Sequence, residues 1–278
     1  MKECIISFIG GGNMARCLIG GLIANGFPAN KIRVADSNSE TLNSLAAGYS
    51  VNIYQDNVAA IKDADVVVLA VKPQQMQSVV RSLGTHWKPE CLLISIAAGI
   101  RLNAISRWLA HTDAAIVRTM PNTPSLVQAG ATALFANSHT RHDQRELAEG
   151  IMRAVGLAIW LDDEQHMDAV TALSGSGPAY FFLVMEAMES AAKRLGLDEN
   201  TARMLCLETA FGAAKMALES GDNAATLRQK VTSPGGTTER AIHELQDGGL
   251  TGLFENAMVA AALRSRELAD QLGQDHEQ

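Results

Sequence analysis

Residues 5–15 read Ile5-Ile6-Ser7-Phe8-Ile9-Gly10-Gly11-Gly12-Asn13-Met14-Ala15, and this stretch decides the fold. A β-branched apolar run breaks at three glycines and passes directly into the helix-like run 18–24. The pattern is the turn that cradles a pyrophosphate when it joins a strand to a helix. Gly10 permits the tight turn, Gly12 lets the backbone approach the phosphates, and Ala15 keeps the helix close to the strand. The helix N-terminus then offers unpaired N–H groups to anionic oxygens. The plain alternative is a tight turn with no ligand; the strand before it and the helix after it favour the cradle.

The same texture repeats outward from this turn. Short apolar runs at 5–9, 32–35, 66–71, 91–96, 115–118, 132–135 and 157–161 alternate with helix-like stretches. Such strands predict a parallel sheet covered on both faces. Beyond Asp162 the strand pattern stops and alanine-rich helices follow, punctuated by Gly196, Gly221 and Gly248-Gly249. Pro178 fits a first helical turn, Gly196 a left-handed stop, and Asp198 the N-cap of the next helix. A last helix is expected from Thr251 to about Leu272, where Ala257, Ala260, Ala261 and Ala262 would let another helix approach closely. The expected fold class is α/β, with an N-terminal Rossmann-type parallel-sheet domain over 1–161. A C-terminal all-α dimerisation domain follows over 162–272, with 273–278 a disordered tail. So many apolar helix faces predict burial against a second subunit.

Composition narrows the class. The 278 residues are 47% hydrophobic and 19% charged, with a net charge of −7. That balance suits a globular protein and argues against a nucleic-acid partner, which needs a basic footprint. No apolar run is long enough to span a bilayer and no leader layout is visible, so a cytoplasmic protein without a membrane partner is expected. The scattered Cys4, Cys17, Cys91 and Cys206 fit no zinc spacing and are expected to be reduced.

Three further segments carry chemistry. Asp36-Ser37-Asn38 ends the second strand, where cofactor choice is made. An acid there usually binds the ribose of NAD, whereas Ser37 and Asn38 are neutral donors suited to a 2′-phosphate, so residue types leave the choice open. Lys72 in Val71-Lys72-Pro73 and the small residues of Ser95-Ile96-Ala97-Ala98-Gly99 stand at strand ends, where they suit a cofactor crevice; a solvated loop lysine and a close-packed turn are the plain alternatives. Ser233-Pro234-Gly235-Gly236-Thr237-Thr238 precedes a helix and reads either as a small anion nest able to hold a carboxylate or as an ordinary capped loop.

Taken with Met120-Pro121-Asn122-Thr123-Pro124 and Ala172-Leu173-Ser174-Gly175-Ser176-Gly177-Pro178-Ala179-Tyr180, these segments resemble pyrroline-5-carboxylate reductase. The resemblance is collinear from about residue 5 to Leu268. It implies reduction of 1-pyrroline-5-carboxylate to L-proline with NAD(P)H, the last step of proline biosynthesis. It also implies a homodimer, often within a larger ring of dimers. Carried over residue by residue, Gly10, Gly12, Asn13, Met14 and Ala15 would bind the pyrophosphate. Ser37 and Asn57 would contact the ribose and 2′-phosphate, and Ala70, Lys72, Pro73 and Ala97 the rest of the cofactor. Ser233, Gly235, Gly236, Thr237 and Thr238 would hold the small-molecule substrate, with Thr238 the catalytic hydroxyl. NADPH is the expected preference, with NADH also usable.

Other polar groups are set aside. His139 and His142 read as a solvated helix start, and the acidic run Asp162 to Asp168 as first-turn acids; no metal site is expected. His243 reads as a packing or surface residue. A β-hydroxyacid dehydrogenase would carry a lysine in 174–188, which holds none. A deazaflavin-dependent reductase would share only the N-terminal half. A non-catalytic dinucleotide sensor would have no use for the 233–238 loop.

Overall fold

The computed structural model describes residues 4–274; the rest of the expected tail lies outside them. Among the described residues, one sheet contains β1 (Ile6–Ile9), β2 (Ile32–Ala35), β3 (Asn52–Tyr54) and β4 (Val66–Leu69). It continues with β5 (Leu92–Ser95), β6 (Ala115–Met120), β7 (Gly130–Ala136) and β8 (Gly156–Trp160). Their spatial order is β3-β2-β1-β4-β5-β6-β7-β8. Side chains alternate between two cores: Val66 and Val68 pack on one face, Val67 and Leu69 on the other. Burial on both faces is why these strands read as unbroken apolar runs.

Two details depart from an all-parallel reading. The pair β6–β7 is antiparallel. Its connection, 121–129, holds Pro121 and Pro124 and is shorter than the roughly dozen residues a parallel crossover needs. Strand β3 is absent from the sequence reading because it is short, lies at the sheet edge and exposes Asn52 and Ile53.

Packing divides the chain into two compact units. Residues up to Ser176 and from Ala260 onward form the first, and Gly177–Val259 the second. The boundary at Asp162 marks where strands stop; packing changes later, because the acids of 162–168 tie that stretch to the sheet unit. Glu164 Oε1 accepts from Leu102 N and from the buried Arg118, both at 2.9 Å. Asp168 Oδ1 accepts from the Ser265 hydroxyl at 2.7 Å, and Arg101 pairs with Asp270 at 2.8 Å. The far end of the last helix, Leu250–Leu272, thereby belongs to the sheet unit.

The second unit is helical: Gly177–Arg194, Glu199–Glu219, Ala224–Lys230, Thr237–Asp247 and the start of Leu250–Leu272. Gly196 takes φ +100°, and Asp198 caps its helix by accepting from Thr201 N at 3.1 Å. This unit lacks a core of its own. Among its described residues only Ala202 and Cys206 are buried apolar side chains, while Phe181, Phe182, Phe211 and Leu253 are all more than 60% exposed. A cavity of about 220 Å³ opens between Tyr180, Val184, Leu250 and Phe254.

None of the four cysteines takes part in a disulfide. Burial pushes the Cys91 thiol up to about 12, so it is protonated and inert at neutral pH. No described helix is long and apolar enough to cross a membrane.

Candidate active site

The glycine turn after β1 is shaped by its neighbours. Gly10 has φ +100°, and a Cβ there would lie 2.6 Å from Ala70 O. No other residue type fits so close to the backbone leaving β4. A Cβ at Gly11 would meet Leu45 Cδ1 at 2.8 Å and Thr41 Cγ2 at 2.9 Å, whereas a Cβ at Gly12 would meet nothing within 4 Å. Two of the glycines therefore let protein pack on protein, and the third faces open space. Gly12 is also the N-cap of the helix Asn13–Ala24 and supplies no side chain to its first N–H groups. This cradle is suited to pyrophosphate oxygens.

The other sequence-derived cofactor positions gather along the same carboxyl edge. Ser37 follows β2 and is exposed; Ala70 and Lys72 follow β4, and Pro73 opens the short turn Pro73–Gln75. Ala97 follows β5, its N–H donating to the buried Ser95 hydroxyl at 3.3 Å. Asn57 begins the helix Asn57–Ile61, which Asp56 caps through Val58 N at 3.0 Å. Strand order reverses between β1 and β4, and ligands bind at such a switch point. Asn122, at the end of β6, donates to Ser174 O at 3.0 Å and accepts from Ala131 N at 2.9 Å. It thereby holds the π-helical turn Thr171–Gly175.

The Ser233–Thr238 loop lies in the helical unit. Gly235 takes φ +71° in open space, and Gly236 is the N-cap of Thr237–Asp247. Gly235 N donates to Glu239 Oε2 at 2.7 Å, and Gly236 N to Ser233 O at 3.0 Å. What remains for a ligand is the uncapped first turn at Thr237 and Thr238 together with the hydroxyls of Ser233, Thr237 and Thr238. Thr238 is exposed. Glu239 was not singled out from the sequence, although an acid four residues after a glycine nest is a visible signal. His243 is exposed, as are His139 and His142. No described group of three or more His, Cys, Asp or Glu residues could hold a metal ion.

A glycine cradle at the switch point of a sheet whose order begins β3-β2-β1-β4-β5-β6 marks the class of dinucleotide-binding proteins. Comparison with known proteins agrees: a family model described as NADP oxidoreductase, coenzyme F420-dependent, matches residues 5–99. A second, pyrroline-5-carboxylate reductase dimerisation, matches residues 164–268. The chain is 52% identical to a pyrroline-5-carboxylate reductase of Pseudomonas aeruginosa over 97% of its own length and 98% of the relative's. It is 45% identical to that of Haemophilus influenzae, over 96% and 98%. Among solved structures, a pyrroline-5-carboxylate reductase from Coxiella burnetii superposes with a TM-score of 0.92 at 50% identity, covering 96% and 98%. A pyrroline carboxylate reductase from Plasmodium falciparum, solved with NADP bound, gives 0.86 at 26% identity, covering 97% and 99%. This chain belongs to the pyrroline-5-carboxylate reductase family.

Proposed function

We propose that this chain reduces 1-pyrroline-5-carboxylate to L-proline with NAD(P)H, the last step of proline biosynthesis. One observation carries the reading. The helices Asn13–Ala24 and Thr237–Asp247 each begin at a glycine N-cap with no side-chain cap, in a chain collinear with reductases of this substrate. One such anion seat suits a pyrophosphate and the other a carboxylate. NAD(P)H, when bound, supplies the hydride. Gly10, Gly12, Asn13, Met14 and Ala15 hold its pyrophosphate, Ser37 and Asn57 the ribose end, and Ala70, Lys72, Pro73 and Ala97 the remainder.

The substrate is a cyclic imine bearing a carboxylate. Its protonated ring needs no nucleophile, metal or strong acid, so the protein's part is to orient it and exclude water. Ser233, Thr237 and Thr238 grip the carboxylate, and Gly235 and Gly236 give the loop its turn. The Thr238 hydroxyl donates to the lone pair that forms on the ring nitrogen as hydride reaches the neighbouring carbon. NADPH is preferred and NADH is also used. The protein works as a cytoplasmic homodimer that can build into a ring of dimers, without nucleic-acid or membrane partners. An NADPH-oxidation assay offering pyrroline-5-carboxylate or a 3-hydroxy acid tests the reading: turnover of the imine alone supports it, and turnover of the hydroxy acid alone rejects it.

A further inference from the structure

An acid at the end of β2 is the usual mark of NAD selection, because it binds ribose hydroxyls and repels a 2′-phosphate. Here both oxygens of Asp36 are engaged by backbone. Oδ2 accepts from Gly11 N and Oδ1 from Asn38 N, each at 2.8 Å. Gly11 is a buried glycine of the cradle, wedged against Leu45 and Thr41 of the helix Ser39–Tyr49. Asn38 is the N-cap of that same helix, its Oδ1 accepting from Glu40 N and Thr41 N. A single carboxylate therefore ties the turn after β1 to the start of the helix after β2.

We propose that Asp36 is a positioning residue for the glycine turn and not the group that selects NADH over NADPH. The proposal rests on the reading that this turn binds a dinucleotide. Hydrogen bonds from backbone N–H to a carboxylate are short and strong for their type, and two of them fix the carboxylate's plane. Without Asp36, the Gly11 N–H loses its partner and the turn is free to open. NADPH and NADH share the pyrophosphate that the turn cradles, so a positional defect weakens both alike. A selector would act on the 2′-position, the one place where the two cofactors differ.

The test is titration of the wild-type protein, Asp36→Ala and Asp36→Glu with NADPH and with NADH, together with kcat and KM for each cofactor. Glutamate keeps the charge but displaces both oxygens by a methylene. In both variants, each Kd should rise about 10-fold or more while the NADPH-to-NADH ratio of Kd moves less than about 3-fold. KM for the cofactor should rise with kcat at saturation nearly unchanged, a split that general destabilisation does not produce. Should Asp36→Ala fail to fold by circular dichroism, Asp36→Asn, which keeps one acceptor oxygen, is read by the same ratios. The proposal is overturned if either variant shifts the ratio further than this, if Asp36→Glu behaves as wild type, or if both Kd values stay unchanged. A wild-type chain that binds neither dinucleotide overturns instead the reading of the turn on which the proposal stands.

Discussion

The two glycine turns have similar local chemistry in opposite surroundings. The turn at Gly10–Ala15 is pressed on by Ala70, Leu45 and Thr41, and Ala15 is 1% exposed. The turn at Ser233–Thr238 has open space around Gly235 and an exposed Thr238, in a unit with almost no buried apolar side chains. Each has an acid on a glycine N–H: Asp36 on Gly11, Glu239 on Gly235. What differs is who supplies the walls. The first turn is walled within its own unit, and the second lies in a unit whose apolar side chains stand exposed. A monomer rarely exposes apolar area on the scale that Phe181, Phe182, Phe211 and Leu253 present, and covering such side chains is worth about 1.5–3 kcal/mol each.

The strongest way to break this contrast is to spoil the covering surface while leaving the first turn alone. Replacing Phe181 and Phe182 together by Glu should give a chain that sediments as a monomer, still binds NADPH and has no measurable reductase activity. A monomer that retains activity would sink the idea. Next in size is Gly10→Ala, which adds both a forbidden backbone angle and a backbone clash. Strain and overpacking together should cost about 2–6 kcal/mol of stability, read as a lowered Tm with loss of NADPH binding.

Thr238→Ala should then remove a hydrogen bond that matters mainly at the transition state. The expected loss is about 2–3 kcal/mol, or roughly 30- to 150-fold in kcat, with NADPH affinity and dimer intact. Thr238→Ser should keep most of the activity; if Thr238→Ala retains more than about a third of kcat, the residue only shapes the pocket. Gly235→Ala is the smallest change and the sharpest complement to Gly10→Ala. It meets no neighbour, so only the left-handed backbone is strained, at about 1–2 kcal/mol. Substrate KM should rise while Tm falls little.

What the sequence shows depends on how local the cause is. The β1 turn is legible because strand, glycines and helix are consecutive in the sequence. Gly196 and Asp198 are legible for the same reason. Strand β3 is not, since an edge strand exposing Asn52 and Ile53 has no apolar signature. Nor are the roles of Glu164 and Asp168, whose partners Arg118 and Ser265 lie far away in sequence. Asp36 falls between: its residue type marks the place where cofactor choice is made, but only the fold brings Gly11 N and Asn38 N onto its carboxylate.

The tie between Asp168 and Ser265 has a consequence for synthesis. Ser265 and Ala269 are buried in the sheet unit, and Leu272 packs against one of its two cores. The unit that begins at the first strand therefore lacks a piece until the last helix has been made. The helical unit, Gly177–Val259, emerges between its two parts as an insertion. During synthesis the sheet unit starts before the helical unit and closes only after it, because the last helix carries Ser265, Ala269 and Leu272.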